Sequence, residues 1–176
     1  MLSRLTNDRK YLTSHYSTIN TTLDESEYTF PLDQKLNIDF SHDTVISRII
    51  AALNLTHLSG LEPLPADHIP FNYDSQHLRW KTSELVPFAA NLIVQTISCE
   101  GSEEIPKNVY NRIVINDAVH PLDGINQCKK NKFGLCEQSQ FIEGLEEIID
   151  NIDFANDCYG DYVANQPVKY GIPEIN

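Results

Sequence analysis

Positive charge is what this 176-residue chain has least of: 13 Lys and Arg stand against 25 Asp and Glu, a formal charge of −12. So acidic a surface repels nucleic acid and anionic lipid, which sets both aside as partners. No apolar run approaches the length of a membrane span. The first ten residues, Met1-Leu2-Ser3-Arg4-Leu5-Thr6-Asn7-Asp8-Arg9-Lys10, carry no apolar run and do not read as a secretory signal. Internal repeats and low-complexity blocks are absent as well. What remains is a globular balance, 41% apolar and 22% charged, in a length that suits one domain with its own core.

The most informative stretch is Leu36-Asn37-Ile38-Asp39-Phe40-Ser41-His42-Asp43-Thr44. Leu36, Ile38 and Phe40 alternate with polar residues, the period of a half-buried strand. From Val45 onward the apolar positions 45, 46, 49, 50 and 53 fall at helical spacing, predicting a helix to Leu55. A His-Asp pair therefore stands where a strand ends and a helix begins. In open α/β sheets ligands bind at the carboxyl ends of strands, and a helix N-terminus favours negative charge. A phosphate-sized anion is the ligand this junction suggests.

Elsewhere the pattern predicts a short helix over residues 1–17 and a polar loop to Asp33. Residues 56–79, with Glu62-Pro63-Leu64-Pro65 and Ile69-Pro70, read as irregular surface. Strands are expected over 91–98 and 109–116, the second ending at an Asn-Asp turn, with a short extended piece at 119–122. Phe141, Ile142, Leu145, Ile148 and Ile149 share one face of a further helix, with Glu143, Glu146 and Glu147 on its solvated side. Residues 1–160 read as the domain and 161–176 as a loosely attached tail. The class is α/β, but three or four strands are thin for such a domain and suggest that a piece is missing.

Two features have a secretory flavour. Asn20-Thr21-Thr22 and Asn54-Leu55-Thr56 are glycosylation sequons, at Asn20 and Asn54, and four cysteines point the same way.

Several stretches together resemble the carboxyl-terminal part of the fungal histidine acid phosphatases, the family of secreted acid phosphatases and phytases. They are Phe40-Ser41-His42-Asp43-Thr44; Leu85-Val86-Pro87-Phe88-Ala89-Ala90 running on to Cys99; Arg112-Ile113-Val114-Ile115-Asn116-Asp117-Ala118-Val119-His120-Pro121-Leu122; and Cys128 to Cys136 ahead of the Phe141 helix. The resemblance implies an incomplete histidine-phosphatase (phosphoglycerate-mutase-like) fold, a few central strands with flanking helices. It implies a phosphomonoester hydrolase working through a phosphohistidine, with no cofactor and no metal. His42 would contact a phosphate oxygen, and Asp43 would protonate the leaving group. Partly buried and facing an anionic substrate, Asp43 would keep its proton in mildly acidic solution. A disulfide between Cys128 and Cys136 is implied too, stabilising by roughly 2 to 3 kcal/mol if unstrained. Cys99 and Cys158 resemble cysteines whose family partners lie in the amino-terminal half, which leaves them free or mispaired here. An extracellular or cell-wall location follows from the family.

The family's Arg-His-Gly-x-Arg-x-Pro motif, which carries the nucleophile and the arginine clamp, has no counterpart: no Arg-His-Gly occurs in the sequence. The chain alone is therefore expected to be inactive on phosphomonoesters, and to expose a sheet edge prone to self-association. Three readings compete: the carboxyl-terminal part of a phosphatase, a non-catalytic remnant that binds phosphate weakly or a partner chain, and one half of a complementing pair. His120 reads as a surface strand residue. Trp80, with Tyr73 and Arg79, either lines a substrate mouth or, as is commoner, packs. No second ligand sits at metal spacing from His42 and Asp43.

Overall fold

The computed structural model describes residues 1–13, 21–55, 81–153 and 160. The expectations for residues 14–17, 56–79 and 161–176, with those for Asn20, Trp80 and Cys158, lie outside the described residues.

A hairpin of two eight-residue strands is the centre of the structure. β1 (Leu92–Cys99) and β2 (Asn108–Ile115) pair antiparallel along their whole length, from Leu92 opposite Ile115 to Cys99 opposite Asn108. Both are rich in β-branched residues, which suit a pleated, packed surface. β2 turns directly into β3 (Ala118–His120) through Asn116 and Asp117, both at positive φ (47° and 67°). Two left-handed residues make the turn whose twist matches a hairpin, and Asn and Asp tolerate that region best after glycine. β4 (Cys136–Glu137) pairs with β2 at Asn111 and Tyr110, so β2 is the middle strand and every pairing is antiparallel. The expected strands at 91–98 and 109–116 are present within one residue.

α5 (Gln138–Asp150) follows β4 directly and buries Phe141 and Leu145, with Ile142, Ile148 and Ile149 partly buried beside them. That is the apolar face read from the spacing. Gly144 lies on the same face because nothing larger fits: a Cβ there would stand 2.4 Å from Ile125 Cγ2. The core also takes Ile113 and Ile115 from β2, Leu122 and Ile125 from the loop after β3, and Leu2, Ile50, Leu53, Leu55 and Leu85 from earlier in the chain. Cys128 and Cys136 form the expected disulfide, with Cα atoms 5.3 Å apart and both residues buried. Inside the loop it closes, the Asn131 side chain accepts hydrogen bonds from the amides of Phe133 and Leu135 and donates to the carbonyls of Lys129 and Leu135.

Several expectations need correction. Within residues 1–13, the described part of the helix expected over 1–17, there are two short pieces, α1 (Leu2–Thr6) and α2 (Lys10–Thr13), because Asn7 turns left-handed (φ 55°) and ends the first. A further short helix, α4 (Thr82–Leu85), precedes β1, and its last carbonyls accept from the Asn116 side chain at 2.9 and 3.0 Å. Glu143 is exposed as expected, but Glu146 and Glu147 are not simply solvated. Glu146 accepts a hydrogen bond from the Tyr11 hydroxyl, which pushes that phenol above its ordinary range. Glu147 accepts from Asn126 Nδ2 (2.9 Å) and Gln127 Nε2 (2.5 Å), and these bonds hold its carboxyl below the usual range. The largest departure is at 36–40. Residues 36–42 form neither helix nor strand, and the alternation that predicts a half-buried strand has no ladder partner among the described residues. No described helix is long and apolar enough to cross a membrane.

Candidate functional site

α3 (Asp43–Ala52) carries the His-Asp pair on its first turn. Its far end is the anchored one. Ile50 is fully buried, and the chain leaves the helix through Asn54 in a left-handed turn (φ 51°). There the Asn54 amide donates to Ala51 O and the Leu55 amide to Ile50 O, and buried Leu55 seats against the core. This is the Schellman closure, with Asn in the position that glycine more often takes. Asn54 Nδ2 also donates to Gly124 O at 3.0 Å, and a Cβ on Gly124 would sit 1.9 Å from Asn54 O. The sequon asparagine is thus part of the seam between α3 and the loop that feeds the disulfide, although it remains exposed at the surface.

At the other end, His42 is the N-cap in extended conformation (φ −108°, ψ 161°), and its carbonyl accepts from the amides of Val45 and Ile46. Asp43 occupies the first helical position, where a carboxylate complements the partial positive charge of the helix start. Its Oδ1 accepts from the Thr44 amide at 2.7 Å. Both side chains are exposed, so the partial burial expected for Asp43 is not observed. Among the described residues no Lys or Arg pairs with Asp43.

Just ahead of this turn is a contact the sequence did not announce. Arg4 of α1 grips Asp39 with both guanidinium nitrogens, at 2.5 and 3.2 Å, and lies over the Phe30 ring, 4.7 Å from its centroid. Arg9 holds the neighbouring loop by donating to the carbonyls of Asp24 and Phe30. Asp39 is thereby tied to α1 while staying largely exposed itself, and the apolar residues of the stretch are open to solvent as well. Leu36 is 74% exposed, Ile38 65% and Phe40 96%. The stretch buries neither set of its alternating residues, since Asn37 and Asp39 are exposed too.

His120 belongs to another place. It stands on β3 opposite Ile113, beneath the disulfide loop, where a Cβ on Gly134 would lie 3.1 Å from the His120 carbonyl. It is half-buried rather than a surface residue, its Nδ1 has no hydrogen-bond partner among the described residues, and burial pulls its pKa below the ordinary 6.5. Cys99, at the end of β1, is a free thiol. A shallow cleft of about 220 Å³ lined by Arg9, Lys10, Leu12 and Glu25 includes neither His42 nor Asp43.

Comparison with known proteins places these features. Residues 8–116 match the histidine phosphatase superfamily (branch 2). Phytase A of Aspergillus oryzae is 32% identical over 145 residues, which cover 82% of this chain and 28% of that protein. Phytase A of Emericella nidulans is 36% identical over 126 residues, 72% of this chain and 25% of that one. Acid phosphatase PHO1 of Komagataella pastoris is 30% identical over 156 residues, 88% of this chain and 30% of that one. The chain thus spans little more than a quarter of the length of these curated relatives.

Proposed function

The chain belongs to branch 2 of the histidine phosphatase superfamily, and from that premise we propose that it supplies the acid half of a phosphomonoesterase site. The observation that carries this reading is the exposed His42–Asp43 pair on the first turn of α3, inside the matched segment. In this assignment His42 donates a hydrogen bond to a non-bridging phosphoryl oxygen. Asp43, protonated, gives its proton to the alcohol oxygen as the P–O bond breaks, so that the departing group leaves as a neutral alcohol. The positive end of α3 favours the dianionic substrate. The substrate class is a phosphomonoester, phytate-like or simpler. The disulfide Cys128–Cys136 fits an oxidising compartment and so supports a secreted or cell-wall protein, with Asn20 and Asn54 as glycan acceptors.

The same assignment makes the chain inactive by itself. Phosphoryl transfer needs cations around the equatorial oxygens and a nucleophile in line; His42 is taken up as the phosphate contact, and no Arg-His-Gly occurs in the sequence to supply a second histidine and its arginines. The test is turnover of p-nitrophenyl phosphate and phytate by the purified chain between pH 4 and 7. No turnover is expected. Turnover that survives purification and disappears in Asp43→Asn would overturn the inactivity and keep the acid.

A second reading rests on the apolar stripe of Leu36, Ile38 and Phe40, which is exposed over most of its area. In it the chain acts through a partner polypeptide that covers this stripe.

A further inference from the structure

His120 has no part in the site proposed above, yet its placement asks for a physical reason. It ends β3, a three-residue strand whose only ladder partner among the described residues is β2. Pro121 follows and brings no amide to carry the ladder further. The ring nitrogen Nδ1 is buried and has no hydrogen-bond partner among the described residues. A neutral imidazole tolerates this, because its proton can stand on Nε2 and leave Nδ1 as an unfilled acceptor. A second proton must go to Nδ1 itself, where it makes a buried N–H with nothing to accept it.

The loop closed by Cys128 and Cys136 covers this end of β3. Gly134, left-handed at φ 63°, lies so close that a Cβ would stand 3.1 Å from the His120 carbonyl and 2.5 Å from Val119 Cγ1. The Asn131 side chain braces the loop from within, as described above. To the rest of the described chain, residues 129–135 make one hydrogen bond, Lys132 Nζ to Glu104 at 2.6 Å, between exposed side chains. A unit tied to itself and held down mainly by packing can lift as one piece about its two cysteines. The charged residues on the elements around His120 are Asp117 and Asp123 flanking β3, Arg112 on β2, Glu137 on β4, and Lys129, Lys130 and Lys132 on the loop. None forms an ion pair with His120, and burial alone holds its pKa below the ordinary 6.5. A charge gained by the ring thus meets no carboxylate partner, while the loop that covers it carries three lysines. We infer that the Cys128–Cys136 loop is an acid-released flap, closed over β3 while His120 is neutral and lifted when Nδ1 takes up a proton. Lifting lets water reach the new N–H and moves the lysines away from it. The device is independent of the roles assigned to His42 and Asp43.

The test is NMR of the isotopically labelled full chain, disulfide intact, between about pH 4.5 and 7.5. The ring resonances of His120 give its titration. Amide hydrogen exchange, corrected for the intrinsic effect of pH, gives the opening of residues 118–120 and 133–135. Each unit by which the closed form's value lies below 6.5 makes opening about tenfold more favourable in acid. The expected result is a His120 titration below 6.5, with exchange in both segments rising at least about fivefold over the same interval. The amides of α5 keep their protection. His120→Gln, neutral at every pH, removes the rise, and His120→Lys brings it on already at the upper end of the range. Glu104→Gln breaks the loop's ion pair but leaves the midpoint where it was. A His120 that titrates at or above 6.5 overturns the inference, as does exchange in these segments that ignores pH. A rise that persists in His120→Gln, or that α5 shares, overturns it in favour of carboxylate titration or global unfolding. Should His120→Gln not fold, the unaltered chain decides: unequal midpoints for the ring and the amides overturn the inference, and equal midpoints uphold it.

Discussion

Two phenylalanines on amphipathic stretches meet opposite fates in this molecule. Phe141, on α5, is fully buried among Ile113, Ile125 and the disulfide; Phe40, at the end of the apolar stripe, is 96% exposed. The local patterns are equally clear. The difference is whether the described chain brings a second apolar surface to the right place. For α5 it does, because β2, β4, α1 and the loop after β3 all reach it. For residues 36–40 the contact that α1 makes is a charged grip on Asp39 through Arg4. A periodic sequence states that a face wants covering; only the tertiary arrangement states what covers it.

The sharpest way to break that comparison is to cut both rings. Phe141→Ala should lower stability to urea by about 3 to 5 kcal/mol, the usual range for a fully buried aromatic. A loss below about 1 kcal/mol would mean that the α5 face is not the core. Replacing Cys128 and Cys136 together with Ser should lower stability by about 2 to 3 kcal/mol, read in the same unfolding experiment. That tests whether the well-packed region also depends on its covalent closure.

A smaller, pH-specific effect belongs to His120. Burial lowers its pKa in the folded chain, so just below the unfolded value near 6.5 the unfolded state binds more protons. Stability should therefore fall as pH drops from about 6.5 through the lower folded value, and His120→Phe should flatten that part of the profile. A wild-type profile already flat there would remove the buried histidine from the account. The smallest effect is expected at the stripe itself: Phe40→Ser should change stability of the isolated chain by no more than about 0.5 kcal/mol. A large loss would show that the stripe is covered within the chain after all, and the contrast between the two rings would vanish.

Much of the well-packed region was readable in advance. The β-branched runs of β1 and β2, the Asn116-Asp117 turn and the five apolar residues of α5 all state their structure locally, because each depends on backbone preference and period alone. The disulfide followed from resemblance rather than spacing. The N-terminal helix breaks at Asn7, a residue that tolerates the left-handed region but does not by itself announce a break, since Asn also occurs inside helices. Glu146 and Glu147 looked like solvated charge, since their partners Tyr11, Asn126 and Gln127 lie far away or across a loop. His42 and Asp43 were visible as a pair at a helix start, and that is where they stand. Their exposure was not visible, nor was the Arg4–Asp39 grip, which joins positions 35 residues apart.

The sequence by itself determined which segments become helix or strand where neighbours decide the matter, the family to which the chain belongs, and the placing of a carboxylic acid at the start of α3. Tertiary structure alone decided which amphipathic faces are satisfied. Burial depends on a second surface arriving from a distant part of the chain, and no local pattern can report whether one does.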